Sequence, residues 1–545
     1  MTSPSPVSDG PFARWLPRVL VLLLALYFSR VILPITPVEG DEQGVVEGVR
    51  VWVRGTRDFE PASYAYPIQP GSYHVIWWLH RLTDADPLPI FGVLTALSAA
   101  IFVLLASLLA ARAAAIRPAW VAVALLSAQE ITAAAAYANT SALAAVPLMG
   151  GLLIAQRART LPPLWLAGVL LGLAGWLRLD SLLISPVVLA LRWSHGTPGQ
   201  AVKETVHAAT ASVLALVAAF FIVGASFPEA WAAFTARGNF SDWSVLRING
   251  WLVLGYTASA ISLFSLVWLF FRRQWATLAL VIAAGAGPFL IYGGSFASPK
   301  YFHAATPFFL LPVLVLLREF LAPAGPAPQV RRGLAGLFIG LHVTEALVGV
   351  QTSSAEFRRF DPAPPLAPLA TIPFGSKLAH LGLGEGEILQ TADGPRMRGG
   401  QAWAPAMWRR EKAAMREEIT RLDNLLQTGD IAVVVTSTYL GLRLTETWLR
   451  GHGFTAEAPV YFPGNLGSHR TQWHGPGRAL TVVQVNHTSA DAAVIHGEQG
   501  APGRLLFVND RGGAAFRHLA AATPGWQLLS PSDNRLLTLY LRAER

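Results

Sequence analysis

Apolar residues along this chain are gathered into long runs over the first 350 positions, with polar residues in the short stretches between them. About 20 apolar residues, rising 1.5 Å each, cross a hydrocarbon core of about 30 Å. The stretch from Trp15 to Ile35 is such a run, and others span 88–110, 118–134, 141–155, 162–177, 181–191, 207–227, 251–271, 276–292, 303–317 and 333–350. The pattern predicts about eleven crossings, although the two short runs flanking Arg178 read equally well as one kinked or re-entrant element. After position 351 the pattern changes. A proline-rich linker over 351–375 leads into a charged helix near 405–427 and short apolar runs beginning at Ile431, Leu480, Leu505 and Leu536, which predict a small α/β fold over 376–545. The expected fold class is a mainly α polytopic membrane protein with about 11 transmembrane helices over 1–350 and a C-terminal soluble α/β domain.

Composition agrees with this partition. Of 545 residues, 53% are hydrophobic and only 14% charged, whereas a soluble domain carries about a quarter charged residues. An ordinary cytosolic enzyme is excluded for the first 350 positions. The net charge of +9 could suggest nucleic acid, but its distribution does not. Basic pairs stand at the ends of apolar runs, at Arg112 and Arg117, Arg157 and Arg159, Arg272 and Arg273, and Arg331 and Arg332. That is the positive-inside pattern, and alternate threading puts all four pairs on the cytoplasmic side. The first run lacks a small-residue cleavage site, so it reads as an uncleaved helix with a cytoplasmic N-terminus. The 37–87 loop, the turns at 130–139 and 178–180, the 228–250 loop, 293–300 and the C-terminal domain then face outward. A bias to Ala, Arg and Pro over Lys points to a GC-rich bacterial genome and an inner-membrane location. The chain has no cysteine, hence no disulfide or thiol chemistry.

In a chain this poor in acids, Glu39, Asp41, Glu42 and Glu47 place four carboxylates within nine residues directly after the first run. They fit a solvated helix start, with Asp41 at an N-cap and Glu42 in the first turn, or a catalytic cluster. Later in the same loop Tyr66 and His74 belong to a Pro/Tyr/His cluster; they shape a substrate pocket or are simply solvated. Arg178 and Asp180 lie amid a 30-residue apolar stretch; ionised groups there are costly and pair with each other or face a cavity. Lys300 and Tyr301 open a late helix on the outer side, as a phosphate-holding element or as an interfacial Lys and Tyr. Glu130 ends the third helix at the same face, at a cavity or on the surface. Asp84 and Asp86 have the Asp-x-Asp form of a divalent-cation site, a spacing common by chance. Sequons occur at Asn139, Asn239 and Asn486. Walker, zinc-site and Ser-His-Asp signatures are missing, which argues against an ATP-driven pump.

The first helix, the Asp41–Glu42 pair, a short helix ending near Gly55 and the Tyr66–His74 cluster together resemble the GT-C glycosyltransferases, in the layout of the protein O-mannosyltransferase and lipid A aminoarabinose transferase branch. The likeness covers about the first 320 residues as layout; the order of the Pro/His cluster departs from it and the C-terminal domain has no match. The resemblance implies a polyprenyl-phosphate-sugar donor, a lipid, glycan or protein acceptor at the outer face, and inverting transfer. It implies Asp41 as general base with Glu42 orienting the acceptor or Asp41, and Tyr66, His74, Glu130, Arg178, Asp180, Lys300 and Tyr301 as substrate-binding residues, Lys300 and Tyr301 toward the carrier phosphate. No cofactor is expected, since a polyprenyl donor needs no metal clamp on a nucleotide diphosphate. The partners expected are donor, acceptor and bilayer, with no nucleic acid. Two other classes fit a polytopic chain: a secondary transporter, disfavoured by the single long outer loop and large outer domain, and a non-catalytic envelope-assembly protein, which would tolerate loss of Asp41.

Overall fold

A computed structural model describes residues 11–33, 35–36, 44–46, 48–50, 66–128, 131, 134–135, 137–194, 196–235, 253–291, 299–322, 327–348, 371–373, 388–391, 394–398, 405–436, 439–462, 465–485, 504–510, 525–530 and 537–542. Asp41, Glu42 and Glu130 lie outside them, as does the side chain of Lys300. Among the described residues of the first 350 positions, the helices longer than one turn include α1 (Pro11–Ile32), α2 (Pro70–Thr83), α3 (Pro87–Ala114), α4 (Pro118–Ser127), α5 (Thr140–Arg157), α6 (Leu161–Leu177), α7 (Val187–Trp193), α8 (Pro198–Val223), α9 (Phe227–Thr235), α10 (Tyr256–Phe271), α11 (Trp275–Ile291), α12 (Leu311–Leu321) and α13 (Pro328–Val348). Proline opens α2, α3, α4 and α8, where its missing N–H is one that the helix leaves unpaired in any case.

α3 is the central post. Its Ala99, Phe102, Val103, Ala106 and Leu109 are buried in one core with Leu24, Phe28 and Ile32 of α1 and Leu148, Met149 and Leu152 of α5. The outside of the bundle is equally apolar, with Phe221, Ile222, Leu263, Phe271, Ile282 and Leu290 all more than 60% exposed. Apolar surface of this extent belongs against lipid rather than water.

Several elements differ from the hydropathy pattern. Among the described helices only α3 and α8 are long and apolar enough to cross a membrane by themselves, with shorter apolar helices over Leu22–Ile32, Pro118–Ser127, Leu161–Leu177, Thr257–Phe271 and Trp275–Ile291; the count of eleven crossings stays an expectation. The 118–134 run stops being regular helix at Ser127. The 181–191 run divides into a 3-10 helix, Leu179–Ile184, and the seven-residue α7, with Pro186 between them. The 303–317 run breaks at Leu310, because Pro307 and Pro312 open new turns where they would disrupt a helix interior. Within the 37–87 loop, Pro70–Thr83 forms a helix whose Tyr73 and Ile76 join the core.

The C-terminal region carries a small antiparallel sheet in the order β1-β3-β2, from Thr371–Pro373, Ile388–Thr391 and Gly394–Arg398. Helix α14 (Pro405–Gln427) follows, then a mixed sheet in the order β10-β11-β9-β4-β8-β7-β5. β4 (Ile431–Thr436) is parallel to both β8 (Arg478–Gln484) and β9 (Arg504–Asp510). β7 (Asn465–Gly475) and β11 (Leu537–Arg542) extend the sheet antiparallel on either side, out to β5 (Thr455–Ala456) and β10 (Trp526–Leu528), with β6 (Val460–Phe462) against β7. The four strand runs read from the sequence are β4, β8, β9 and β11. α14 and α15 (Tyr439–Gly451) complete the α/β fold, with Val434, Val482, Leu506 and Leu539 buried in its core.

Candidate functional site

The chain turns over Tyr66 to Ile68 and enters α2 at Pro70. Gln69, just before the proline, is buried, and its Oε1 accepts a 2.7 Å hydrogen bond from the Thr140 hydroxyl. Thr140 is the first residue of α5 and in turn accepts from Arg178 Nη1 at 3.0 Å. Arg178 ends α6. Its Nε and Nη2 donate to the two oxygens of Asp180 at 2.7 and 2.9 Å, a bidentate pair buried on both sides. The guanidinium lies 5.2 Å from the centre of the Tyr301 ring, in the 3-10 turn Pro299–Phe302 that also carries the backbone of Lys300. Three segments read separately in the sequence are thus one constellation, held by α2, α5, α6 and the late 3-10 turn.

The start of α5 adds polar groups. Asn139 caps the helix, its Oδ1 accepting from Ser141 N at 2.7 Å, and its own N–H donates to Thr95 Oγ1 of α3 at 2.9 Å. Asn139 Nδ2 and Ser141 Oγ are buried without a hydrogen-bond partner among the described residues. Polar atoms so placed are uncommon in a finished core. Beside Arg178, at the positive end of an 18-residue helix, they make a setting suited to an anion. Asn139, Thr140 and Ser141 are the functional candidates that sequence reasoning passed over. Their signal was there: three capping-type residues opening an apolar run. The sequon reading of Asn139 meets a buried side chain committed to the cap, unsuited to glycosylation.

Tyr66 and His74 also meet, Oη standing 3.4 Å from Nε2. Burial and the nearby Glu229 carboxylate push the Tyr66 phenol up to about 12, and burial lowers His74 to about 4. At neutral pH this is therefore an uncharged pair. Tyr73, Trp77 and Trp78 pack around it, and Trp78 continues to Trp176 of α6 at 6.1 Å. Gly71 makes the approach of α2 to α6 possible, since a Cβ there would stand 2.5 Å from the Trp176 ring. Leu179 N donates to Ile68 O at 2.7 Å and Ser72 Oγ to Leu177 O at 2.8 Å, locking the aromatic cluster to the Arg178 segment.

The Asp-x-Asp pair serves a local purpose. Asp86 caps α3, with Oδ1 accepting from Leu88 N at 2.9 Å, while Oδ2 accepts from Arg50 at 2.7 Å. Asp84 adopts φ 55° where α2 ends. Among the described residues no three His, Asp or Glu side chains are grouped to hold a metal.

Among solved structures, the chain is similar to ArnT from Cupriavidus metallidurans bound to undecaprenyl phosphate, at 13% identity and a TM-score of 0.47, over 96% of this chain and 97% of that one. It is similar to the same protein in the apo state, at 13% identity and a TM-score of 0.47, over 98% of each chain. A weaker likeness, at 13% identity and a TM-score of 0.37, joins 61% of this chain to 54% of the Archaeoglobus fulgidus oligosaccharyltransferase tethered to an acceptor peptide containing the NVT sequon. No protein-family model matches the chain, and no curated protein matches it in sequence.

Proposed function

We propose that this protein is a membrane glycosyltransferase that moves a monosaccharide from a polyprenyl-phosphate carrier to a lipid, glycan or protein acceptor at the outer face. The observation that carries the reading is the buried Gln69–Thr140–Arg178–Asp180 chain, with Tyr301 against the guanidinium and Asn139 and Ser141 at the adjoining helix start. A leaving phosphate gains negative charge as its bond to the sugar breaks, and preorganised cations and donors stabilise that charge most where water is excluded. Arg178 and the α5 N-terminus, with the Asn139 amide and Ser141 hydroxyl, supply such donors, while Thr140 holds Arg178 in place. Lys300, one residue before Tyr301 in the sequence, is proposed as a second cation toward the phosphate.

On the acceptor side the proposal gives Asp41 the role of general base. The acceptor hydroxyl or amine attacks the anomeric carbon, the bond from that carbon to the phosphate oxygen breaks, and the acceptor proton passes to the Asp41 carboxylate. One displacement inverts the anomeric centre. Glu42 orients the acceptor or Asp41, and the Tyr66–His74 pair with Trp78 offers an uncharged, aromatic wall for a sugar ring. Glu130, on the same side of the threaded membrane, completes the substrate-binding set. None of these roles calls for a metal or other cofactor. The position proposed is the inner membrane, with the N-terminus cytoplasmic and the C-terminal domain periplasmic.

The test is transfer from radiolabelled polyprenyl-phosphate monosaccharides by the purified full chain and its Asp41→Asn form. Transfer by the parent and a loss of about 10²–10⁴-fold in the variant is the expected result. Equal transfer by both removes Asp41 as base. No transfer from any donor, with substrate movement across vesicles instead, would turn the reading to a transporter.

A further inference from the structure

The C-terminal α/β domain meets the membrane helices at the end of α1, a few residues before the acidic segment. Lys412 and Arg416, one turn apart on α14, face this end. Lys412 is fully buried, and its Nζ donates to Ile32 O at 2.6 Å. Arg416 donates from Nε to Thr36 Oγ1 at 2.9 Å and from Nη2 to Ile35 O at 3.3 Å. The last carbonyls of a helix have no partners within it and form the negative end of its dipole, so Lys412 answers both deficits at Ile32, while Arg416 holds the chain just beyond the helix. Val31 of α1 and Tyr137 join Met415, Leu422 and Leu426 of α14 in the C-terminal domain's core. Another face of α14 is tied to the sheet region, where Glu418 accepts from Ser530 Oγ at 2.6 Å and Ser530 Oγ accepts from Leu539 N at 2.7 Å. α14 is therefore a strut shared by the two parts of the molecule.

On the other side of the acidic segment, residues 44–46 and 48–50 are helical. Val45, Val46 and Val49 are buried there with Tyr73, Ile76, Phe91 and Leu143. The chain bearing Asp41 and Glu42 is thus anchored at Thr36 by the C-terminal domain and at Val45 by the membrane helices. Asp41 lies five positions after Thr36, a reach of at most about 18 Å.

From these anchors we infer that Lys412 and Arg416 are positioning residues: the C-terminal domain latches the end of α1 and thereby sets where the Asp41–Glu42 segment stands for transfer. The catalytic consequence rests on the glycosyltransferase reading above; the latch does not. A domain that only binds acceptor would alter acceptor KM when disturbed. A latch alters kcat at saturating donor and acceptor.

The experiment compares the full chain with Lys412→Met, which keeps the apolar stem, with Arg416→Gln, at an exposed position, and with Arg416→Lys, which restores the charge. Amide hydrogen exchange over 29–45 is expected to quicken about tenfold in Lys412→Met and to a lesser degree in Arg416→Gln, as loss of a charged hydrogen bond predicts, with exchange over 96–111 of α3 unchanged. kcat for transfer from a polyprenyl-phosphate monosaccharide is expected to fall about tenfold in Lys412→Met, with donor and acceptor KM unchanged and partial recovery from Arg416→Gln to Arg416→Lys. Unchanged exchange over 29–45 in both Lys412→Met and Arg416→Gln overturns the latch. Faster exchange with unchanged kcat overturns the positioning role. Should Lys412→Met not fold, the two Arg416 variants carry the same measurements. If the parent chain transfers from no donor, the glycosyltransferase reading fails and the positioning role with it, while exchange still decides the latch.

Discussion

Arg178 and Asp180 form the ion pair that sequence reasoning weighed against a direct role in binding. Two charges in a low-dielectric interior persist because each satisfies the other. Asp180→Asn leaves Arg178 buried without its counter-charge and is expected to cost about 3–5 kcal/mol, read as a lowered melting temperature in detergent. The double variant Arg178→Met with Asp180→Leu removes both charges and is expected to recover most of that loss. If Arg178 holds the carrier phosphate, transfer stays abolished in the stable double variant, which separates packing from chemistry. His74 offers a pH test. Its pKa is lowered to about 4 by burial, below the about 6.5 of an unfolded histidine. Between those values the unfolded chain binds more protons, so stability is fully present above about pH 6.5 and falls as pH drops toward 4. His74→Gln should flatten that part of the melting-temperature profile; an unchanged slope would assign the effect to other groups.

The helices show how local pattern and close packing divide the work. Apolar runs marked most helices, because hydrocarbon-facing and core-facing residues are alike in composition and a run bounded by proline or arginine has few other structures open to it. α2 was legible only as the short run Val75 to Leu79 inside a loop, since its first turn, Pro70 to Tyr73, is buried through contacts with α6 that no local pattern announces. α6 and α8 pack closely at Gly168, where a Cβ would collide with the carbonyl oxygen of Ala208. Gly168→Ala is therefore expected to destabilise by about 1–3 kcal/mol, the usual cost of overpacking, whereas Gly199→Ala on α8, where a Cβ meets nothing within 4 Å, should be close to neutral. Thermal melting of the two variants in the same detergent checks the contrast.

The molecule as a whole is a helical membrane part and a C-terminal α/β part that share the end of α1. Removing 376–545 would strip α14 from Ile32, Ile35 and Thr36 and uncover Val31 and Tyr137. The truncated chain is expected to melt at a lower temperature than the full chain and to self-associate in mild detergent, measured by calorimetry and size-exclusion chromatography. A truncated form as stable as the parent would mean that the shared contacts contribute little. Within the C-terminal part, Trp473 of β7 is buried at 1% exposure in the domain's core, and Trp473→Ala is expected to cost about 3–5 kcal/mol. Through the shared strut that loss should also lower the stability of the α1 end.

Sequence alone determined the broad plan: apolar runs for membrane helices and a mixed C-terminal domain whose strands β4, β8, β9 and β11 stand where the apolar runs lie, although its first strand, Thr371–Pro373, falls within the stretch read as a linker. These follow from the burial of contiguous side chains, a property each segment carries by itself. It also singled out Arg178, Asp180, Tyr301, Tyr66 and His74, because ionised and polar groups are conspicuous in an apolar chain. Only the tertiary structure decided which of them meet. Arg178 reaches Thr140, 38 positions away, and stands over Tyr301, while Lys412 reaches Ile32 across 380 positions. Such contacts arise when helices pack, and the energy that selects them lies in pairs of distant residues that no local pattern contains.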